Sequence, residues 1–357
     1  MTLTSFSLPA DSQPDSNALT SLRDLCVDAR GYTESAVAAQ RLDSELAAYQ
    51  PQGLVGPLLE LARITGTIQK DGTILRANGA AAGSFVLYLL GLATLNPLDH
   101  GFLLERFVDP ESGLKDDLWI TCNVSQAVSE PSTGIQPDES GAMKLQLKFV
   151  PCKQLARTVK LMAQVQASVA LDDATTYELL GRGDTSGIDG LDSSSDQDGL
   201  RQFQPKTIAE LAAFVAVSVP GMEPARERLL ARDPQQFPEE VVYSGRDSNQ
   251  YSASDSILYQ EDLMQILHQT GNFTLREAYV LIREICKGNQ DRMATARRQL
   301  LSGTSESGSG KHALDLVEDL AAQTRCKAHC YATAYDCYEA AYLKATFPSE
   351  FRAAMTG

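Results

Sequence analysis

Apolar residues recur at three- and four-residue steps through most of this chain. Ala209 to Val219 and Ile257 to His268 carry that spacing, which predicts amphipathic helices. Thr207 with Glu210 and Thr274 with Glu277 precede apolar runs in the order of a capping box. Lys327 to Lys344 reads as one continuous helix. Two segments have a different period. Met143, Leu145, Leu147 and Phe149 alternate with Lys144, Gln146 and Lys148, which predicts a half-buried strand. Asp117 to Val124 is the second strand candidate, with Trp119, Ile120 and Thr121 supplying β-favouring side chains. Arg182 to Gly199 and Ser302 to Gly310 are rich in Gly, Ser or Asp and read as loops. No internal repeat is visible. The pattern predicts a mixed α/β, mostly helical fold, with a small α/β part before about residue 150 and a helical part after it.

Composition narrows the class. The chain has 357 residues, 43% of them hydrophobic, enough for two cores. Met1 to Asn17 lacks a basic start and an apolar centre, so no secretory signal is read there. The apolar stretch Phe85 to Leu95 is too short and Gly-interrupted to span a bilayer. A cytoplasmic protein without membrane contact is expected. The net charge of −15 counts against strong autonomous binding to duplex DNA. A local basic groove remains compatible with it, because fields depend on how charge is distributed.

Seven Cys in this length do not form a disulfide-scaffold pattern. Cys326, Cys330 and Cys337 cluster around His329, and a zinc site is one reading of them. Their helical spacing gives the other, small thiols buried on one helix face. The sequence leaves both open.

From Ala77 the chain reads Ala-Asn-Gly-Ala-Ala-Ala-Gly-Ser-Phe-Val, then Tyr88-Leu-Leu-Gly, Asn96-Pro-Leu and Leu104-Glu-Arg-Phe-Val-Asp-Pro-Glu111. In order and spacing this run resembles the palm of the bacterial C-family DNA polymerases, the alpha subunits of DNA polymerase III. The resemblance continues through Ile188-Asp-Gly-Leu-Asp-Ser193, Leu258-Tyr-Gln-Glu-Asp-Leu-Met-Gln265, Lys327-Ala-His329 and Tyr342-Leu-Lys-Ala-Thr-Phe-Pro-Ser-Glu-Phe351. It implies a nucleotidyltransferase-like palm with a small mixed sheet, followed by helical fingers. The corresponding parts are residues 1–30 as a partly disordered N-terminal segment, 31–165 as a reduced palm-like domain and 166–357 as a fingers-like domain. Cys122 and Lys144 stand close together where the family inserts its thumb, so the thumb is expected to be missing.

The family's chemistry uses three Asp residues to hold two divalent ions. Counted without gaps from Pro110-Glu111, the first falls on Asp117 and the second on Trp119; the third, judged from the resemblance of Leu147-Lys-Phe-Val-Pro-Cys-Lys-Gln-Leu155 to its segment in the family, falls on Lys148. Asp116 is a poor substitute, since adjacent strand positions lie on opposite faces. The resemblance therefore implies Asp117 as a catalytic remnant, an Asp117–Lys148 ion pair, no metal site and no polymerase activity. In the triphosphate loop, family Arg and Ser positions carry Asn78 and Ala80, while Gly79, Gly83 and Ser84 remain at a helix start that suits an anion. Arg283, Lys287, Lys327 and His329 fall where the family's fingers have basic residues and are the other nucleotide-contact candidates. A solvated helix face explains them equally. Tyr259, Gln260 and Glu261 read as structural.

Two functions follow from the resemblance. One is a non-catalytic pseudo-polymerase of DNA replication or repair, which binds nucleotide or DNA weakly, works with a protein partner and needs no cofactor. The alternative is a minimal active DNA polymerase with rearranged carboxylates, among them Asp116, Asp117 and Glu105, which would use Mg²⁺.

Overall fold

The computed structural model describes residues 6–9, 16–29, 31–68, 74–109, 113–114, 118–122, 136–137, 143–166, 168–231, 257–271, 273–288, 294–295, 298, 315 and 317–356. They are mostly helical. Two compact units divide them, one made of Met1–Val169 with Thr346–Gly357, the other of Ala170–Ala345.

In the first unit, strand β1 (Phe6–Pro9) precedes helices α1 (Ser16–Val27), α2 (Ala36–Tyr49) and α3 (Val55–Ile68). Strand β2 (Leu75–Asn78) leads through a 3-10 turn, Gly79–Gly83, into the short helix α4 (Phe85–Leu89). Strands β3 (Val108–Asp109) and β4 (Gly113–Leu114) make a small hairpin. Then come β5 (Leu118–Cys122), β6 (Gln136–Pro137), β7 (Met143–Pro151) and helix α5 (Lys153–Val165). The alternating segments thus form strands where the period of two places them. The sheet order is β1-β7-β5-β2, with β6 also paired to β7. The β5–β7 pair is parallel and the others are antiparallel. Leu22, Leu42, Leu46, Leu58, Leu61, Phe85 and Leu87 form the core of this unit.

The second unit is helical: α6 (Ala174–Gly181), α7 (Ser194–Phe203), α8 (Ile208–Val217), α9 (Glu223–Ala231), α10 (Gln260–Gly271), α11 (Leu275–Cys286) and α12 (Lys327–Thr346). A last helix, α13 (Pro348–Thr356), belongs to the first unit and packs on α5. Thr274 and Glu277 make the expected capping box at α11. At α8 the box is half-formed: Glu210 N–H donates to Thr207 Oγ1 at 3.2 Å, while the Glu210 carboxylate accepts from Lys206 N–H instead.

The expected loop Arg182–Gly199 ends early, because Ser193 caps α7 by accepting from Asp196 N–H at 3.1 Å. Asp and Ser are turn formers, but they are also the best helix starters, and here they begin one. The expected loop Ser302–Gly310 lies outside the described residues. Between α6 and α7, Gly183 has φ +64, and a Cβ there would overlap the Gln197 carbonyl. Gly183→Ala is therefore expected to lower stability by about 2–4 kcal/mol, read as an earlier urea midpoint by far-UV circular dichroism.

No described helix is long and apolar enough to cross a membrane.

Candidate functional site

The sheet brings together two of the three positions singled out by the sequence. Trp119 of β5 and Lys148 of β7 are direct Cα partners in the parallel pair, and Asn78 at the end of β2 is the partner of Trp119 on its other side. Positions 78, 119 and 148 thus form one row across three adjacent strands. Asp117, Asp116 and the proposed Asp117–Lys148 ion pair lie outside the described residues. A Trp and a Lys supply no anionic oxygen to a divalent ion, so these two positions do not fit the pair of magnesium ions that polymerase chemistry requires.

The Gly loop is reached from β2. Gly79 takes φ +63, and its N–H donates to Asn78 Oδ1 at 2.6 Å. Ser84 is fully buried and caps α4 by accepting from Leu87 N–H at 3.1 Å. An anion does occupy this helix start, and the protein supplies it. The Glu45 carboxylate, 0% exposed, accepts from Phe85 N–H at 2.8 Å and from Val86 N–H at 3.0 Å. It also accepts from Ser84 Oγ at 2.8 Å and from Tyr49 Oη at 3.2 Å. Arg41 completes the cluster: its Nε donates to Glu45 Oε1 at 2.9 Å, and its two terminal nitrogens donate to the carbonyls of Phe102 and Gly83. Burial, reinforced by the Glu45 charge, pushes the Tyr49 hydroxyl well above its ordinary pKa. The first amides of α4 are thus filled from inside, and Gly83 and Ser84 belong to a buried clamp on α2.

The signal for this clamp was present in the sequence. Glu45 falls in the apolar phase of α2, in step with Ala38, Leu42 and Tyr49. A carboxylate in a buried stripe demands a partner, whereas an Arg–Glu pair at i,i+4 usually reads as a solvated face.

In the helical unit the four basic candidates stand on two helices. Arg283 of α11 lies over the Tyr279 ring at 5.7 Å, and Lys287 just past the helix end pairs with Glu284 at 3.2 Å. Lys327 opens α12 with its Nζ 5.8 Å over the Tyr331 ring, and His329 sits in the same first turn. Glu261 holds that turn, accepting from Lys327 N–H at 2.8 Å and from Cys326 Sγ at 3.3 Å. Its neighbour Asp262 accepts from the N–H groups of Leu258 and Tyr259, both at 2.8 Å. Burial raises the Asp262 pKa to about 6 against the opposing pull of those two amides. Gln260 N–H donates to the Arg325 carbonyl at 2.9 Å beside a Tyr259–Arg325 bridge. The 258–262 segment is thus a structural splice, which agrees with the structural reading of Tyr259, Gln260 and Glu261.

The clustered thiols have separate partners. Cys326 donates to Glu261, Cys337 donates to the Asp189 carbonyl at 3.4 Å, and Cys330 is buried, which drives its pKa upward. Among the described residues no three His, Cys, Asp or Glu side chains are grouped to hold a metal ion.

Comparison with known proteins adds the ancestry. Residues 20–123 match the family model described as the bacterial DNA polymerase III alpha NTPase domain. Residues 152–308 match that of the bacterial DNA polymerase III alpha subunit finger domain. The DNA polymerase III subunit alpha of Halalkalibacterium halodurans is 30% identical over 228 residues, covering 62% of this chain and 20% of its own length. That of Haemophilus influenzae is 32% identical over 202 residues, covering 53% of this chain and 17% of its own. The Escherichia coli K12 subunit is 30% identical over 202 residues with the same coverage. The chain thus spans about a fifth or less of the length of these curated relatives.

Proposed function

This chain belongs to the C-family DNA polymerase III alpha-like proteins, and from that premise we propose that it is a non-catalytic pseudo-polymerase of DNA replication or repair. In this reading residues 31–165 are a reduced, nucleotidyltransferase-like palm without its thumb, and residues 166–357 are helical fingers. The observation that carries it is the Trp119–Lys148 pairing. The resemblance puts these two residues where two catalytic carboxylates belong, and their positions are Cα partners on adjacent strands. Their chemistry is the reverse of what divalent ions demand, because a lysine ammonium repels a cation.

Such a scaffold works through binding. Nucleotide or DNA is a weak ligand and a protein of replication or repair is the partner. The cytoplasm is the corresponding compartment, and no cofactor is required. Primer extension on a primed template tests the reading. With Mg²⁺ or Mn²⁺, incorporation is expected at the level of a protein-free control. Extension that rises with protein concentration and disappears in Asp117→Ala would establish the minimal active polymerase instead.

A further inference from the structure

The peptide bond between Asn78 and Gly79 joins the end of β2 to the 3-10 turn, and it is the sole Asn-Gly step in the chain. Asn78 is extended, with φ −128 and ψ 171, while Gly79 is left-handed at φ +63. That bend lays the Gly79 nitrogen against the carboxamide of its neighbour, and its N–H donates to Asn78 Oδ1 at 2.6 Å. Oδ1 is bonded to Cγ, so the same nitrogen stands within reach of the carbonyl carbon. The hydrogen bond also draws electron density onto Oδ1 and leaves Cγ more open to attack. Nothing crowds the approach. Outside the turn and its adjoining residues, no described atom lies within 4 Å of where a Cβ on Gly79 would stand. Both residues are half-buried, so water reaches them.

We propose that Asn78–Gly79 is a self-modification site, at which the chain converts Asn78 to Asp and isoaspartate with water as co-reactant. The Gly79 nitrogen gives its proton to solvent and attacks Asn78 Cγ. The new N–C bond closes a five-membered succinimide, the Cγ–Nδ2 bond breaks, and Nδ2 takes up a proton and leaves as ammonia. Water then opens the ring at either carbonyl. Opening at Cγ restores the ordinary backbone with an Asp side chain. Opening at the main-chain carbonyl leaves isoaspartate, whose backbone runs through Cβ and Cγ. Nothing is oxidised or reduced. Both products add one negative charge to the row shared with positions 119 and 148. Isoaspartate also lengthens the main chain by one atom, between β2 and the clamp that holds Gly83 and Ser84. The β2–β5 register ends on Asn78, so the added atom falls on its last pair. The fold carries a one-way switch from a tight to a loosened sheet-bearing unit, independent of the pseudo-polymerase reading.

The full chain is aged at mildly alkaline pH beside a synthetic peptide of residues 72–86, which holds the same pair without the fold. Trypsin releases Ala77 to Arg106 as one fragment. Its fragment spectra place the mass gain on Asn78 or Asn96 and separate isoaspartate from Asp. Asn78 in the folded chain is expected to convert at least as fast as in the peptide, and at least tenfold faster than Asn96. The consequence is read by urea titration followed by emission of Trp119, the sole tryptophan. Aged wild type should unfold at a lower midpoint than fresh protein, whereas Asn78→Gln should keep its midpoint through the same treatment. Fresh Asn78→Asp, which has the charge without the added atom, should fall between fresh and aged wild type. A folded chain that retains Asn78 while the peptide converts would show that the fold protects the pair, and would overturn the proposal. An equal loss of midpoint in aged Asn78→Gln would overturn the switch.

Discussion

Replacing Glu45 by Ala is expected to cost about 3–5 kcal/mol of stability in the sheet-bearing unit, the largest effect of any single substitution proposed for this protein. Both Glu45 oxygens are engaged, and five donors lose their acceptor at once: Arg41 Nε, Tyr49 Oη, Ser84 Oγ and the amides of Phe85 and Val86. Arg41 would then remain mostly buried without its carboxylate, and an unpaired buried charge is the most expensive remnant a truncation leaves. Glu45→Gln retains one oxygen acceptor and the side-chain shape, so it should fall between wild type and Ala. A urea titration followed by Trp119 emission reads this unit specifically. Equal midpoints for wild type and Glu45→Ala would show that Glu45 does not hold the start of α4.

The second large effect depends on pH and belongs to the helical unit. Asp262 ionises near its ordinary value of 3.8 in the unfolded chain and at about 6 in the folded one. Below pH 4 both states hold the proton, and the group contributes no pH dependence. As pH rises from about 4 through 6, the folded state keeps a proton that the unfolded state has released. Stability therefore falls across that window and the penalty is constant above it. The full difference is about 3 kcal/mol. Asp262→Asn preserves an oxygen for the Leu258 and Tyr259 amides and removes the buried charge. The stability of the variant relative to wild type should consequently grow by about 3 kcal/mol between pH 4 and pH 7.5. Hydrogen exchange of α10 and α12 amides, compared between the two proteins at each pH, measures it. Parallel curves would show that Asp262 is not the group responsible.

These two carboxylates also show how far the sequence could be read. The strand periods, the α11 capping box and the long helix from Lys327 rest on local pattern, and the structure reproduces each. Two separate family motifs point to Trp119 and Lys148, and the parallel register makes these positions Cα partners. What stayed hidden depends on contacts distant in sequence. Glu45 meets residues about forty positions away, and Glu261 meets Cys326 and Lys327 more than sixty positions away. Charged residues on a helix are ordinarily solvated, so only their phase within an apolar stripe hinted at burial. Gly83 and Ser84 pose a related difficulty. A Gly/Ser loop before a helix has the same appearance whether its anion is a bound phosphate or an internal glutamate.

Manganese binding reports on the arrangement at positions 119 and 148. The purified chain is titrated with Mn²⁺, and bound ion is followed by electron paramagnetic resonance. No saturable site is expected at millimolar Mn²⁺, and no difference between wild type and Asp117→Ala. Two Mn²⁺ ions per chain, lost in Asp117→Ala, would contradict this and return this fold to the working polymerases.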